Sequence, residues 1–123
     1  MSEPPQRTLR LRFDHEALAA NWRALDALSG TAAAGAAVKA DGYGLGVERV
    51  VPALREAGCG DYFVAHWSEV EPVLRHVPAS RVSVFHGPLD AEDAAYARTT
   101  GVRPVINSLF QARLWLDSGG GPC

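Results

Sequence analysis

The sequence predicts an α/β fold in which helices cover a parallel sheet. Short apolar runs bounded by glycine or polar residues alternate with longer segments of helical periodicity, the pattern of repeated strand–helix units. Four such units follow a first strand and helix. A chain of 123 residues could hold a small open sheet or half of a (β/α)8 barrel, which takes about 250 residues. The pattern alone leaves both architectures open.

The first predicted elements are a strand and a helix. Apolar and polar residues alternate from Thr8 to Phe13, as expected of a half-exposed strand. Asp14 is a suitable cap for a helix that runs to about Ser29, and Gly30 is a suitable end. Large apolar residues recur along this helix at helical spacing, at Leu18, Trp22, Leu25 and Leu28.

The four strand–helix units follow from the same signals. Strands are expected at residues 33–39, 61–65, 81–85 and 102–106. Helices are expected from Gly46 or Val47 to Gly58, from Ser68 with Glu71 in a capping box, and from Asp90 to about Arg98. Ser108 with Gln111 is expected to start a last helix through Leu116. We expect a flexible N-terminus over residues 1–7, a partial barrel over 8–117 and an unstructured tail over 118–123.

Composition narrows the class of protein. Apolar residues make up 47 %, charged residues 21 %, and the net charge is −2, which suits a soluble globular domain and does not favour nucleic-acid binding. We expect no signal peptide and no membrane span. Cys59 and Cys123 are too few for a disulfide framework and lack metal-pair spacing, so a reducing, cytoplasmic setting and no metal site are expected.

Lys39 is the only lysine in the chain, against 11 arginines, and it ends a predicted buried strand. A lysine amine can lose its proton and form an imine with an aldehyde, whereas an arginine guanidinium stays protonated. The competing interpretation is a structural lysine, left over in an Arg-rich composition. That interpretation explains why lysine is scarce but not why the one lysine lies at the end of a strand.

The residues after Lys39 favour a phosphate-bearing aldehyde as its partner. Gly42, Gly44 and Gly46 permit positive φ and close approach of a ligand, and Tyr43 adds a hydroxyl donor. The free N–H groups at the start of the next helix would suit a phosphate. An amine for an aldehyde and donors for a phosphate fit pyridoxal phosphate (PLP). A dinucleotide site is the competitor, but the glycine spacing is one residue short of G-x-G-x-x-G.

Other polar residues carry weaker signals. His66 and His86 each follow a predicted strand and could line the cofactor pocket, although a partly exposed histidine at a strand end is the commoner case. Asp41 is expected to cap the glycine turn or hydrogen-bond nearby backbone rather than to act in catalysis.

The segment Ala37–Gly46, AVKADGYGLG, resembles the PLP-attachment motif of alanine racemases. The similarity continues in the family's order through Leu11-x-Phe13-Asp14, Glu56-Ala57-Gly58, Phe63-Val64-Ala65, the helix at Glu69 and Val84-Phe85-His86-Gly87. The resemblance implies that Lys39 binds PLP covalently and acts as one of two catalytic bases, and that Tyr43 hydrogen-bonds the cofactor phosphate. Leu45 departs from the family, in which many members have histidine, and leaves both roles intact.

The implied reaction is interconversion of L- and D-alanine, which supplies D-alanine for peptidoglycan. In the family the second base is a tyrosine from the C-terminal domain of the partner subunit in a homodimer. The chain resembles only the opening strand and about the first half of the barrel, so we expect a fragment with little or no activity alone. A serine or broad-specificity racemase and a PLP-carrier protein of the same barrel type are the alternatives.

Overall fold

The computed structural model of this chain describes residues 1–5 and 8–123. Its strands are β1 (Ala36–Ala37), β2 (Tyr62–Val64), β3 (Val82–Val84) and β4 (Arg103–Pro104). Its helices are α1 (His15–Leu28), α2 (Lys39–Tyr43), α3 (Val47–Ala57), α4 (Val70–Leu74), α5 (Ala91–Thr100) and α6 (Leu109–Asp117). Two 3-10 turns, Trp67–Glu69 and Ala79–Arg81, lie before α4 and β3.

The four strands form one parallel sheet in chain order, β1-β2-β3-β4. Ala36 is paired with Tyr62, Tyr62 with Val82, and Ser83 with Arg103. The order never reverses, as it would at the switch point of a doubly wound sheet. The α/β prediction is therefore confirmed, and the sheet has the topology of part of a (β/α)8 barrel.

The main core lies between the sheet and the helices on one of its faces. Buried strand residues at Tyr62, Val64, Val82 and Val84 pack with apolar side chains of α3 and α4, namely Val50, Val51, Leu54, Val70 and Val73. Helix α1 packs on α3 through Leu18 and Trp22, but Leu25 and Leu28 remain 62 % and 83 % exposed. The helical spacing of these four residues therefore predicted the helix correctly, but only two of the four residues pack on the core.

The predicted strand over Thr8–Phe13 is wrong, because the structure has no strand there. Leu9 and Leu11 are 87 % and 73 % exposed. Alternation predicts a strand only when a neighbouring strand completes its backbone hydrogen bonds, and the described sheet has no strand beside this segment. The fold thus lacks the strand that was expected to precede the barrel units.

The predicted capping box of Ser68 and Glu71 is also wrong. A 3-10 turn forms first, and the carboxylate of Glu69 accepts from the backbone N–H of His66. Helix α4 then begins at Val70, which leaves Pro72 in its first turn as expected.

Neither end of the described chain belongs to a helix or a strand. The predicted flexible N-terminus includes residues 6 and 7, which lie outside the described residues. The tail after Asp117 forms no helix or strand, but it is attached to α6: Gly120 N donates to Trp115 O at 2.8 Å and Trp115 Nε1 donates to Gly121 O at 3.1 Å. None of the helices in the described part of the chain has the length and apolar character needed to span a bilayer.

Candidate functional site

Lys39 lies at the carboxyl end of β1. Val38, which precedes it, is 1 % exposed and belongs to the main core. Val38 N donates to Phe63 O at 2.8 Å, so the pairing of β1 with β2 continues up to the residue before the lysine. Lys39 itself is half-buried. The core therefore fixes the backbone on the near side of this amine, at the edge of the sheet where parallel α/β folds carry their functional groups.

The chain turns after Lys39 in a left-handed helical conformation. The four residues after Lys39 all have positive φ: Ala40 at 51°, Asp41 at 52°, Gly42 at 64° and Tyr43 at 57°. Backbone hydrogen bonds close the turn, from Gly42 N to Val38 O and from Gly44 N to Ala40 O, both at 2.9 Å. Three of the four residues are not glycine, and left-handed backbone costs an L-residue about 1–2 kcal/mol. Such strain persists only where the surroundings impose it, and it concentrates at functional sites.

Gly42 is the one buried residue of this turn. A Cβ at this position would lie 3.1 Å from Val50 Cγ2 on α3, and its φ of 64° disfavours a side chain as well. The absence of a side chain at Gly42 lets the turn pack on α3. Tyr43, the next residue, is 63 % exposed.

Asp41 caps helix α3. Its Oδ1 accepts from Val47 N at 2.9 Å, and Gly46, the residue before the helix, has no side chain to do so. The prediction that Asp41 hydrogen-bonds nearby backbone is confirmed. The predicted use of this helix start by a phosphate is not supported, because a carboxylate already accepts its first N–H group.

Glu69 binds the far side of the turn. Its Oε1 accepts from Ala40 N at 2.6 Å, and its Oε2 accepts from Ala65 N and His66 N, each at 2.8 Å. Partial burial opposes ionisation of this carboxyl, but the N–H donors of His66, Ala40 and Ala65 outweigh that effect, so the pKa of Glu69 lies below its ordinary value. The carboxylate thus joins the residue after Lys39 to the end of β2.

Sequence reasoning missed this role of Glu69. The residue was assigned only to a helix, and Ala40 is 29 positions away along the chain. The available signal was topological: in a parallel sheet the carboxyl ends of β1 and β2 are neighbours, so an acidic residue just after β2 can reach the turn just after β1.

A protein-family model described as "Alanine racemase, N-terminal domain" matches residues 13–121. The chain belongs to this family. Its parallel strand–helix units agree with that membership.

Alanine racemases of two organisms are similar over most of this chain. The one from Methylobacterium nodulans is 42 % identical over 109 residues, which is 89 % of this chain and 29 % of the relative. The one from Brucella ovis is 43 % identical over 108 residues, or 85 % of this chain and 26 % of the relative. A solved structure, the Bartonella henselae alanine racemase with covalently bound pyridoxal phosphate, superposes with a TM-score of 0.76 at 32 % identity and covers 85 % of this chain and 29 % of that one. The chain therefore spans less than one third of the length of these alanine racemases.

The two predicted histidines of this alanine racemase domain meet at the carboxyl ends of β2 and β3. The ring centroids of His66 and His86 are 4.1 Å apart and the planes are inclined at 76°. Both residues are exposed, and no third ligand joins them, since the described residues contain no cluster of three or more His, Cys, Asp or Glu that could hold a metal ion. The structure therefore brings the two rings together at this end of the sheet.

Amide side chains hold the loops at the same end of the sheet. Gln111 is 7 % exposed; its Nε2 donates to His86 O at 2.7 Å and its Oε1 accepts from Asn107 N at 2.8 Å. Asn107 Nδ2 donates to Phe85 O at 2.7 Å. Sequence reasoning used Gln111 only as a helix-start signal. Its burial is explained instead by the hydrogen bonds that its side-chain amide forms with two loops.

The face of the sheet opposite the core is open. Phe63 and Phe85 stack there with centroids 5.0 Å apart. An open cavity of about 570 Å³ lies beside them, lined in part by Gly35, Ser83 and Arg103. Arg103 Nη2 donates to Asp61 Oδ1 at 2.8 Å, which neutralises the one cationic side chain among the described residues that line the cavity. In a complete barrel this face would be the interior.

Proposed function

We propose that this chain is the part of a PLP-dependent alanine racemase that carries the cofactor lysine. In this proposal Lys39 binds PLP covalently and Tyr43 donates its hydroxyl to the cofactor phosphate. The observation that carries the proposal is the position of Lys39: the only amine side chain in the sequence lies where a core strand ends and a strained turn begins.

The residues present fit the cofactor. An aldehyde requires an amine, and Lys39 Nζ is the only side-chain amine available. A phosphate requires donors, and the turn that follows Lys39 leaves the Tyr43 side chain 63 % exposed four residues away. The membership of the chain in the alanine racemase family, and a relative whose title names covalently bound pyridoxal phosphate, support the same assignment.

The chemistry divides between the cofactor and the chain. PLP, when bound, withdraws electron density from the α-carbon of an amino acid. Lys39 Nζ would hold the cofactor through its aldehyde carbon and, as a free amine, would accept the α-proton on its own face of the substrate. The turn contributes orientation, because Asp41, Glu69 and the core residue Val38 fix the backbone on both sides of Lys39.

The substrates, metabolic role, location and assembly that we propose are those of the longer enzyme. We propose L- and D-alanine as its substrates, supply of D-alanine for peptidoglycan as its role, the cytoplasm as its location and a homodimer as its assembly. By family resemblance the second base is a tyrosine of the partner subunit's C-terminal domain. Since the chain spans less than one third of its relatives, we expect it to bind PLP without racemising alanine.

Borohydride trapping tests the cofactor assignment. The chain is incubated with PLP, reduced, digested and mapped by mass spectrometry, with Lys39→Arg as the control that keeps the charge but cannot form the adduct. We expect a pyridoxyl adduct on Lys39 that is lost in the control, beside any background on the α-amine of Met1. An adduct confined to Met1 would refute the proposal.

The same sample separates racemase from carrier. Alanine enantiomers are resolved by chiral chromatography after prolonged incubation with the PLP-loaded chain. Unchanged L-alanine beside a Lys39 adduct is the expected result. Racemisation that depends on Lys39 would show instead that the second base lies within these 123 residues, against the division of bases proposed here.

A further inference from the structure

The Glu69 carboxylate accepts three backbone N–H groups from two different segments. One oxygen accepts from Ala40 and the other from Ala65 and His66, over 2.6–2.8 Å. Within the described residues Glu69 forms no ion pair with a lysine or arginine. The three hydrogen bonds of this carboxylate all go to backbone, and two of the three donors lie at the end of β2.

The contact with Ala40 falls at the first strained residue after Lys39. Ala40 has φ 51° and ψ 47°, and its Cβ makes this conformation unfavourable. The hydrogen bonds inside the turn use Ala40 O and leave Ala40 N to the Glu69 carboxylate. A charge-assisted bond to an ionised carboxylate is about twice as strong as a neutral one. Glu69 thus offsets the strain at the peptide that joins Ala40 to Lys39.

We propose that Glu69 is a positioning residue for Lys39. By holding the peptide N–H of Ala40 against the end of β2, the carboxylate sets the direction in which the Lys39 side chain leaves the sheet. The consequence for the cofactor rests on the function proposed above, whereas the effect on Lys39 itself does not require a cofactor. Glu69 touches no reacting atom in this proposal.

The test compares Glu69→Gln with a matched control, Glu71→Gln. Glutamine keeps the size of the side chain, but only one of its two terminal atoms can accept, so at least one of the three N–H groups loses its partner. Glu71 lies two residues away, its side chain is 82 % exposed, and its salt bridge to Arg75 measures 3.9 Å. The control removes a negative charge from the same part of the chain and leaves the Ala40 contact in place.

The first readout needs no cofactor. Reductive methylation with ¹³C-formaldehyde labels Lys39 as the only side-chain amine, and NMR follows its dimethylamine signal, which is told from that of the Met1 α-amine by its absence in Lys39→Arg. We expect the signal of Glu69→Gln to shift toward its position in the urea-unfolded chain, while Glu71→Gln keeps the wild-type position. A variant that had merely lost stability would show separate folded and unfolded signals instead of one shifted signal.

The second readout is the apparent affinity for PLP, measured from the Lys39 adduct at increasing cofactor concentration. We expect about a tenfold loss in Glu69→Gln, the factor that corresponds to about 1.4 kcal/mol. Replacement of Ala40 by glycine in the Glu69→Gln background should recover much of that loss, because glycine adopts positive φ without a Cβ penalty.

The outcomes decide the two proposals separately. If wild-type chain forms no Lys39 adduct, the cofactor proposal fails and the dimethylamine signal still tests Glu69. If the adduct forms, and Glu69→Gln matches Glu71→Gln in both signal and affinity, the positioning role is overturned. Should Glu69→Gln fail to fold, the comparison is made in the Ala40→Gly background, and equal urea midpoints and signals for Ala40→Gly with and without Glu69→Gln would also overturn the role.

Discussion

Replacement of Asp41 by alanine should destabilise the chain by about 2 kcal/mol, whereas replacement by asparagine should change its stability little. Without Asp41 Oδ1, the backbone N–H of Val47 at the start of α3 loses its acceptor. A side-chain cap of this kind typically contributes about 1 kcal/mol to stability. Asp41 also has φ 52°, a conformation that aspartate and asparagine tolerate better than alanine, and this preference adds roughly 1 kcal/mol. Asparagine keeps both the acceptor and the tolerance of positive φ.

Urea denaturation followed by circular dichroism measures this difference directly. The two variants should share the wild-type m-value and differ in midpoint, since neither changes the surface exposed on unfolding. The Asp41→Ala variant should also form less Lys39 adduct with PLP at a given concentration, because the turn that begins at Lys39 loses its anchor on α3. Equal midpoints for Asp41→Ala and Asp41→Asn would refute the reasoning, because neither the cap nor the left-handed backbone would then matter.

Three further results are expected. The pKa of Glu69 is lowered in the folded chain, so its carboxylate stabilises the fold fully above the unfolded-state pKa of about 4.3. This stabilisation is lost as the pH falls through the folded-state pKa. The urea midpoints of wild type and Glu69→Gln should therefore converge in acid. Burial raises the pKa of the Cys59 thiol, so a disulfide reagent should modify exposed Cys123 rapidly and Cys59 only with unfolding, which the kinetics of thiol release would show; two fast thiols would contradict this burial. Removal of residues 120–123 deletes two hydrogen bonds with Trp115 and should cost about 1–3 kcal/mol in thermal or urea unfolding, whereas an unchanged midpoint would mean that the tail adds nothing to the fold.

Much of the fold was predictable because its signals are local. Asp14, Asp90 and Ser108 each accept from a backbone N–H three residues on, as their positions before apolar periodic segments indicated. Strand positions were found, but β1 and β4 are only two residues long against predictions of seven and five. Apolar runs mark burial, whereas strand length depends on how far the neighbouring strand continues the pairing.

The failed strand prediction and the exposed leucines of α1 both depend on partners that the local sequence does not reveal. Thr8–Phe13 alternates well and yet forms no strand, because a strand exists only in a pair. Leu25 and Leu28 have helical spacing and remain exposed, because nothing in the described chain covers that side of α1. Periodicity predicts which residues lie on one face of a helix, but only the tertiary structure shows whether another element packs on that face.

The chemistry of the site could be predicted from the sequence, but the contacts that hold its turn in place could not. Lys39, Tyr43 and the glycines identified a candidate amine and a turn, and glycine content suggested positive φ at three positions. The structure has positive φ at Gly42, Gly44 and Gly46, and also at Ala40, Asp41 and Tyr43. No propensity rule predicts left-handed backbone at alanine or tyrosine.

That turn cannot be a property of its own segment. The left-handed conformation at Ala40 and Tyr43 together costs roughly 2–4 kcal/mol, a large fraction of the 5–15 kcal/mol that stabilises a typical domain. The compensating contacts come from outside: Val50 packs on Gly42, Val47 N binds Asp41, and the Glu69 carboxylate joins Ala40 to the end of β2. A peptide of the motif alone should therefore not adopt the turn, and presentation of the Lys39 amine requires at least the second strand–helix unit.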